Sequence, residues 1–475
     1  MPYTVTKRIA IHILPLFFLT LVAQGQPAGK LTSSQVSSLA KANRHEKSGW
    51  TYLHIEGAPL ERGFQHGYLM APEIRENLRM LRTRWEYQTA MSWNYYVQKA
   101  GEILTPKVDA ENLAEIDGIV EGLLAAGVKS SRNELVGLNG YPELIGSWWP
   151  TVKDSIHSHS NEAPRESCSS FIATGKMTAD GKIVLGHNTM DLYHNPLCNL
   201  ILDILPEKGH RILMQSVAGF IHSETDFFIT DAGLVGSETT IGDFFGFKAK
   251  GTPEFSRMRR ATQDASSIGE WCEIMKQGNN GGYANAWLIG DINTNEIARL
   301  ELGCKYIAFE IKKEGYFIGS NVAEDLKILR LETKRDETNI KYSSVARRVR
   351  WKQLMRENEG KINIKLAKAF EADHYDTFLH KDNPGGRTLC GHWEIDDQLY
   401  GPSEPFSPEG TLDGKVVDAT MAKQMSFSAR WGAACGMAFS GAKFLEAHPQ
   451  FEWMTGLLPD RPSQPWTVFK AGETK

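Results

Sequence analysis

The stretch ESCSSFIAT, residues 166–174, decides how the rest of this sequence is interpreted. Its second half is a short apolar run and predicts a buried strand over 168–174. The residues before it, TVKDSIHSHSNEAPRE at 151–166, contain almost no apolar side chains and predict an exposed loop. Cys168 therefore lies where a flexible loop meets a strand, and cutting the loop there would make this cysteine an N-terminal residue.

A cysteine at a new N-terminus carries its own general base. An α-amine titrates at about 7.7–8.0, near working pH, and lies within reach of the thiol of the same residue. No histidine and aspartate are then required to activate the sulfur. A lone cysteine is also commonly a small buried hydrophobe, so position alone leaves both interpretations of Cys168 open.

Strands and helices fall into blocks on either side of this junction. Alternating or apolar runs predict five further strands, at 182–188, 211–217, 226–235, 284–291 and 296–302. Helical periodicity covers 59–147, 254–277, 343–357 and 364–373. The segment 380–415 is rich in Gly, Pro and Asp and predicts a long surface excursion. Such blocks favour an α+β or layered α/β fold over alternating βαβ units.

The beginning of the chain predicts export. Lys7 and Arg8 precede an apolar run from Ile9 to Ala23, with small residues at 23 and 25, which is typical of a signal peptide spanning 1–25. The run is shorter than the roughly 20 residues that a bilayer span needs. No Asn-x-Ser/Thr acceptor occurs, which favours a bacterial periplasmic or secreted protein.

Composition excludes several classes. Charged residues make up 23% of the 475 and the formal net charge is −4, so no basic excess exists to bind nucleic acid. Six cysteines are too few for a disulfide scaffold. The cysteine spacing matches no zinc motif, and His157 and His159 lie in the loop expected to be cut. We therefore expect no cofactor and no metal.

Several motifs in order resemble the phospholipase B-like family of N-terminal nucleophile hydrolases, and the related penicillin acyltransferase-like branch that cleaves linear amides. The resemblance covers roughly residues 60–460. It rests on segments 62–67 (RGFQHG), 168–170 (CSS), 180–182 (DGK), 186–191 (GHNTMD), 233–235 (GLV), 238–242 (ETTIG), 282–287 (GYANAW), 375–380 (YDTFLH) and 412–416 (LDGKV).

The resemblance implies a four-layer αββα core over 168–475 and an N-terminal helical segment over 26–167 that ends in a cleavable linker. It also implies self-cleavage between Ser167 and Cys168 into two associated fragments, with Cys168 as the nucleophile that forms a thioester. Asn285 matches the family's oxyanion-hole asparagine. Asp191 matches an aspartate that orients the new α-ammonium or the substrate amine.

Other positions match the family with less defined roles. His187 and Asn188 occupy successive strand positions, so their side chains face opposite sides and one of them is expected to be structural. Thr240 matches a position near the nucleophile. Arg347 and Arg348 fall where the family has a pocket arginine that binds substrate, although a solvated helix face explains them equally well.

Three functions stay open at this point. The first is an exported hydrolase of fatty-acyl esters, which the phospholipase B-like resemblance implies. The second is an amidase or acyltransferase acting on N-acyl compounds, because Met190-Asp191 stands where the ester-cleaving family usually has Trp-Asn. The third is an exported binding protein that keeps the fold without turnover.

Overall fold

Two stacked β-sheets form the centre of the molecule in the computed structural model, which describes residues 30–153, 168–224, 226–401 and 404–474. The predicted signal peptide at 1–25, Ser167 and nearly all of the predicted linker lie outside these described residues. In chain order the strands are β1 (Asn43–Lys47), β2 (Trp50–Gly57), β3 (Ser169–Thr174), β4 (Val184–Leu192), β5 (Leu200–Pro206), β6 (Ile212–Ser216), β7 (Phe227–Thr230), β8 (Leu234–Thr240), β9 (Asn285–Asp291), β10 (Glu296–Leu302), β11 (Ile307–Lys312), β12 (Gly315–Gly319), β13 (Tyr375–Asp376), β14 (Lys381–Asp382), β15 (Glu409–Asp418), β16 (Ser426–Trp431) and β17 (Thr467–Lys470).

Helices cover the outer faces of the sheets and make up most of the N-terminal region. The α-helices are α1 (Ser33–Leu39), α2 (Pro59–Leu69), α3 (Ala71–Thr89), α4 (Trp93–Ile103), α5 (Ala110–Ala125), α6 (Arg132–Asn139), α7 (Trp149–Val152), α8 (Glu254–Asp264), α9 (Ile268–Lys276), α10 (Leu326–Glu332), α11 (Ser343–Glu357), α12 (Ile364–Glu371), α13 (Ala419–Lys423) and α14 (Gly441–Ala447). A π-helix spans Pro142–Trp148, between α6 and α7. None of the described helices is both long enough and apolar enough to span a bilayer.

The larger sheet has the strand order β1-β2-β5-β6-β7-β8-β9-β10-β11, and the smaller sheet has the order β12-β3-β4-β15-β16-β17. Their inner faces meet directly, as the hydroxyls of Ser170 and Ser237 show at 2.6 Å. On the outer face of the smaller sheet, Phe171 packs against Trp351 of α11. On the outer face of the larger sheet, Trp287 packs against Trp271 of α9. The predicted four-layer αββα arrangement is therefore confirmed.

The N-terminal region is more than the helical segment that the periodicity predicts. β1 and β2 join the larger sheet, where β2 pairs parallel with β5. Helices α2 and α5 approach each other through glycines. A Cβ atom on Gly63 would lie 2.0 Å from the carbonyl oxygen of Glu115, and one on Gly122 would lie 2.4 Å from that of Phe64. Residues 30–153 thus share the core of the second half of the chain.

The prediction of a surface excursion over 380–415 is wrong for residues 385–394, which are buried, and for residues 409–415, which belong to a strand. This segment runs into β15, which pairs with β4 on one side and β16 on the other in the smaller sheet. Its charged residues obscured the strand pattern because Asp413 and Lys415 are both fully buried and bond each other, Nζ to Oδ1, at 2.5 Å. A charge pair inside a sheet has no hydropathy signal of its own.

Candidate active site

Cys168 immediately precedes β3 and is 3% exposed. Its φ angle is 76°, in the left-handed region that a residue with a Cβ atom adopts at a cost of about 1–3 kcal/mol. Arg347 of α11, fully buried, donates from Nη1 to the carbonyl oxygen of Cys168 at 2.7 Å and from Nη2 to Asn321 Oδ1 at 2.8 Å. The cysteine backbone is therefore held firmly in a strained conformation.

The Cys168 side chain lines a cavity of about 150 Å³. One wall comes from the end of β4, through Thr189, Met190 and Asp191, and another from Thr240 of β8. The π-helix and its flanks, from Tyr141 to Pro150, supply a further wall. The N-terminal region ahead of the predicted cleavage point thus builds part of the chamber around the sulfur.

A group of buried acids lies close enough to the sulfur for its charges to act on the thiol pKa. The Tyr283 hydroxyl donates to Asp226 Oδ2 at 3.2 Å and lies 3.4 Å from Glu238 Oε2, and Thr240 Oγ1 donates to the same hydroxyl at 3.2 Å. Burial raises the pKa of both carboxyls well above their ordinary range. Burial, then the charges of Glu238 and Asp226, raise the pKa of the Cys168 thiol well above its usual value.

Two further acids, the half-buried Glu224 and the buried Glu254, extend this group. Burial raises the pKa of Glu224, on the cavity wall, to about 7, and its carboxylate accepts from Tyr141 Oη at 2.5 Å. Burial likewise raises the pKa of Glu254, on α8, to about 7. Lys415 is a cation whose charge acts to lower the pKa of the Cys168 thiol, and it donates to Thr189 Oγ1 at 2.6 Å.

Asp191, a predicted site residue, lines the cavity beside Cys168. Its Oδ1 atom accepts from the backbone N–H of Leu192 at 2.8 Å, and its Oδ2 atom accepts from Asn195 Nδ2 at 2.5 Å. Asn195 in turn accepts from Arg84. The carboxylate is fixed by a hydrogen-bond chain rather than free to rotate, so it can orient a cationic group in the cavity.

His187 and Asn188 point to opposite faces of β4, as strand alternation predicts. His187 Nε2 bonds the carbonyl oxygen of Glu238, in the larger sheet, at 2.9 Å, and burial lowers the pKa of its imidazole well below 6.5. Asn188 Nδ2 donates to the carbonyl oxygens of Glu371 and Leu389 on the helical side, at 2.7 and 2.9 Å. Neither residue lines the cavity.

Asn285 and Arg348 also lie away from the cavity lining. Asn285 shares a face of β9 with Trp287 and donates from Nδ2 to Glu254 Oε1 at 3.4 Å, while its Oδ1 atom has no hydrogen-bond partner among the described residues. Arg348 binds Glu324 through two hydrogen bonds of 2.6 and 2.7 Å. The oxyanion role of Asn285 and the substrate role of Arg348 stay predictions.

Sequence reasoning missed the acids that surround the sulfur. Glu238 and Tyr283 lie in the family-like segments 238–242 and 282–287, but the resemblance assigns no role to either of them. It assigns none to Asp226. A signal existed for Glu238, because a carboxylate in the middle of an otherwise small and apolar strand is rarely solvated. For Asp226 and Tyr283 no local pattern separates them from turn residues, since both come to the site from the ends of strands.

Comparison with known proteins identifies similar sequences. The family model described as Phospholipase B matches residues 148–464. Phospholipase B-like 1 from Homo sapiens is 25% identical over 271 residues, which are 51% of this chain and 45% of that protein. Phospholipase-B 81 from Drysdalia coronoides is 24% identical over 274 residues, which are 52% of this chain and 46% of that protein.

Two other comparisons concern proteins that carry different names. An uncharacterized protein from Archaeoglobus fulgidus is 24% identical over 187 residues, or 37% of this chain and 30% of that one. A variant of conjugated bile acid hydrolase from Clostridium perfringens aligns with a TM-score of 0.32 and 11% identity over 55% of this chain and 89% of that chain. The matched segments span less than half the length of these three curated relatives.

Proposed function

This chain belongs to the phospholipase B family, and from that premise we propose that it is an exported, self-processed hydrolase that cleaves acyl bonds through a thioester on Cys168. One observation carries the proposal: the residue that directly precedes β3 is a cysteine that lines a cavity. The strained φ of 76° at the same residue supports cleavage on its N-terminal side.

Self-cleavage follows an N-to-S acyl shift. The Cys168 sulfur attacks the carbonyl carbon of Ser167, the peptide C–N bond breaks, and the thiol proton passes to the freed α-amine. Water then hydrolyses the thioester, which restores the thiol and leaves a carboxylate on Ser167. Arg347 supports this step because it fixes the Cys168 carbonyl while the bond on the other side of the residue is rearranged.

Substrate turnover reuses the same sulfur. The thiolate attacks the acyl carbon, the leaving alcohol or amine takes a proton from the α-ammonium, and water releases the acid from the thioester. The acids near Cys168 suit this cycle. Asp226, Glu238 and Asp191 would stabilise an α-ammonium formed by cleavage, and that ammonium would offset the raised pKa of the thiol.

Fatty-acyl esters of glycerophospholipids are the substrates that the family membership favours. The cavity supports a second candidate, an amidase for small N-acyl compounds. At about 150 Å³ it is smaller than the roughly 300–1,000 Å³ of ordinary ligand pockets. A bulky lipid therefore needs the chamber to widen after cleavage, whereas a small acyl group does not.

Processing is tested by N-terminal sequencing and mass analysis of the protein purified after expression with its leader. We expect a fragment that begins at Cys168 and stays associated with the N-terminal fragment. Intact chain only, or a terminus elsewhere, would contradict the proposal. The matched variant is Cys272→Ser, a buried cysteine on α9 away from the cavity, which should process normally.

Substrate class is tested with Asp191→Asn on phospholipid micelles, an N-acyl amide and an activated ester. Amide cleavage needs protonation of a poor leaving group, so an amidase should lose amide turnover and keep turnover of the activated ester. A phospholipase should hydrolyse micelles well and tolerate the substitution, because its family places Asn there. Equal, severe loss on all three substrates would make Asp191 a support of the nucleophile instead.

A further inference from the structure

A second cluster of reactive side chains lies outside the cavity. It brings two thiols and two imidazoles together from three separate parts of the chain, and we name it the Cys2His2 cluster. Its members are His374, Cys390, His392 and Cys435. One ligand atom from each residue lies within 4.8 Å of every other. No sequence motif announced it, because only Cys390 and His392 are close in the chain.

Two of the distances between these atoms match tetrahedral coordination. Zinc bonds of about 2.3 Å to sulfur and 2.0–2.1 Å to nitrogen place neighbouring ligand atoms about 3.3–3.8 Å apart. His392 Nε2 lies 3.5 Å from Cys390 Sγ and 3.4 Å from Cys435 Sγ. These are edges of a tetrahedron of the required size.

The surroundings of the ligands are those of a metal site. His392 is 1% exposed, and its Nδ1 atom bonds Glu394 Oε1 at 2.8 Å, which leaves Nε2 aimed into the cluster. A carboxylate behind a histidine fixes its orientation in metal centres. The backbone N–H of Met437 points at Cys435 Sγ from 3.3 Å, as it would toward a thiolate. The Nε2 atom of His374 is buried and has no regular hydrogen bond within the described chain.

We propose that the Cys2His2 cluster binds one Zn²⁺ ion. Two thiolates balance the charge of the ion, so the complex is neutral where it is buried. Mixed sulfur and nitrogen donors select zinc over magnesium or calcium, which take oxygen donors. Four protein ligands leave no open position for water, so the site is structural and not a second catalytic centre.

The ion would fasten the C-terminal part of the smaller sheet. His374 follows α12, Cys390 and His392 lie in the loop ahead of β15, and Cys435 follows β16. The residue before Cys390, Leu389, accepts a hydrogen bond from Asn188 of β4. Zinc would thereby stabilise β4, whose C-terminal end supplies Thr189, Met190 and Asp191 to the cavity. Removal of the zinc ion should therefore lower the melting temperature of the protein.

The competing state is a disulfide between Cys390 and Cys435, which an exported protein could form. Metal analysis and thiol counting on full-length protein prepared without chelator or reductant distinguish the two. The expected result is one zinc per chain, with both thiols titrating only after denaturation in chelator. A Cys390–Cys435 disulfide overturns the proposal, whatever the reduced protein binds.

Cobalt reports the geometry directly. Reduced, metal-free protein titrated with Co²⁺ should develop the strong visible bands of tetrahedral cobalt together with thiolate-to-cobalt charge transfer, and Zn²⁺ should displace both. Absence of these bands overturns the proposal. The Cys435→Ser variant should lose the charge-transfer intensity that its sulfur contributes, while Cys272→Ser should keep the full spectrum.

Glu394→Gln covers the case in which loss of a ligand prevents folding. It keeps all four ligands and removes only the carboxylate behind His392, so zinc affinity measured by competition with a chelator should fall about 10–100-fold. Unchanged affinity, with the cobalt spectrum intact, would contradict the arrangement proposed for His392.

Discussion

Two buried charged clusters in this molecule are built on opposite plans. In the helical region, Glu115 lies between Arg62 and Arg259, with Arg62 Nε at 2.6 Å and Arg259 Nη2 at 3.3 Å from its Oε2 atom. Burial opposes ionisation of Glu115, but the two guanidiniums outweigh it and its pKa is lowered. Around Cys168, Asp226 and Glu238 act on each other, no cation among the described residues offsets them comparably, and their pKa values are raised.

The presence or absence of partner charges distinguishes a cluster that stabilises the fold from one that serves a function. A buried charge with matched partners contributes to the fold as long as the set stays complete. Acids crowded together without counterions cost free energy of folding, and such perturbed groups concentrate at functional sites. The helical cluster is therefore interpreted as structural, and the acids beside Cys168 are interpreted as preparation for a positive charge that arrives with the new α-amine.

The largest expected effect is that of Cys168→Ala. Without the sulfur no thioester forms, so processing should stop and turnover should fall by at least about 10³-fold. Removal of a thiol from a strained, acid-rich site should leave the melting temperature unchanged or higher. Gel analysis, substrate assays and thermal unfolding check this, and normal processing of the variant would exclude Cys168 from the mechanism.

Breaking the matched cluster should give the opposite pattern. Glu115→Ala leaves two buried guanidiniums without their partner and should cost about 3–5 kcal/mol of unfolding free energy. Denaturant titration measures it. Glu102→Ala, which removes a solvent-exposed ion pair with Lys99, is the control and should leave the unfolding free energy nearly unchanged. Equal effects would mean that the buried set is not matched.

The two clusters should also respond to pH in opposite directions. Glu224 has a folded pKa of about 7 against an ordinary value of 4.5, so its contribution to stability is complete below about pH 4.5 and is lost as pH rises through 7. Glu115 has a lowered folded pKa, so its contribution is present above the ordinary value and is lost as pH falls through the folded one.

Unfolding free energy measured from pH 5 to 8 on the unprocessed Cys168→Ala protein should therefore decline, with a slope of up to about 1.4 kcal/mol per pH unit for each such carboxyl. Glu224→Gln should flatten the decline. A profile that rises with pH over this range in both proteins would show that the acids near the sulfur are ionised and matched after all.

The same contrast explains what the sequence could predict. Strands with regular apolar patterns, such as β3 and β9, and the position of Cys168 directly ahead of a strand could be predicted because the signal is local. Charged residues inside the sheets, such as Lys415 and Glu238, predict exposed positions from the sequence alone. Only the structure shows the partners from distant strands that allow them to be buried. Arg347 could not be distinguished from Arg348 either, because one residue of helix rotation decides which guanidinium reaches Cys168.

Substitutions of Arg347 and Arg348 test the comparison with the smallest expected effect. Arg347→Lys keeps the charge but loses the planar group that bonds both Cys168 O and Asn321. A buried hydrogen bond to a charged group is worth about 1.5–3 kcal/mol, so its loss should slow processing about tenfold or more. Arg348→Lys keeps an ion pair with Glu324 away from the cavity lining and should process within a factor of about two of wild type. Processing rates from pulse-labelled precursor measure both. If the two variants slow equally, the effect lies in helix α11 as a whole and not in the hydrogen bonds that Arg347 makes to Cys168 and Asn321.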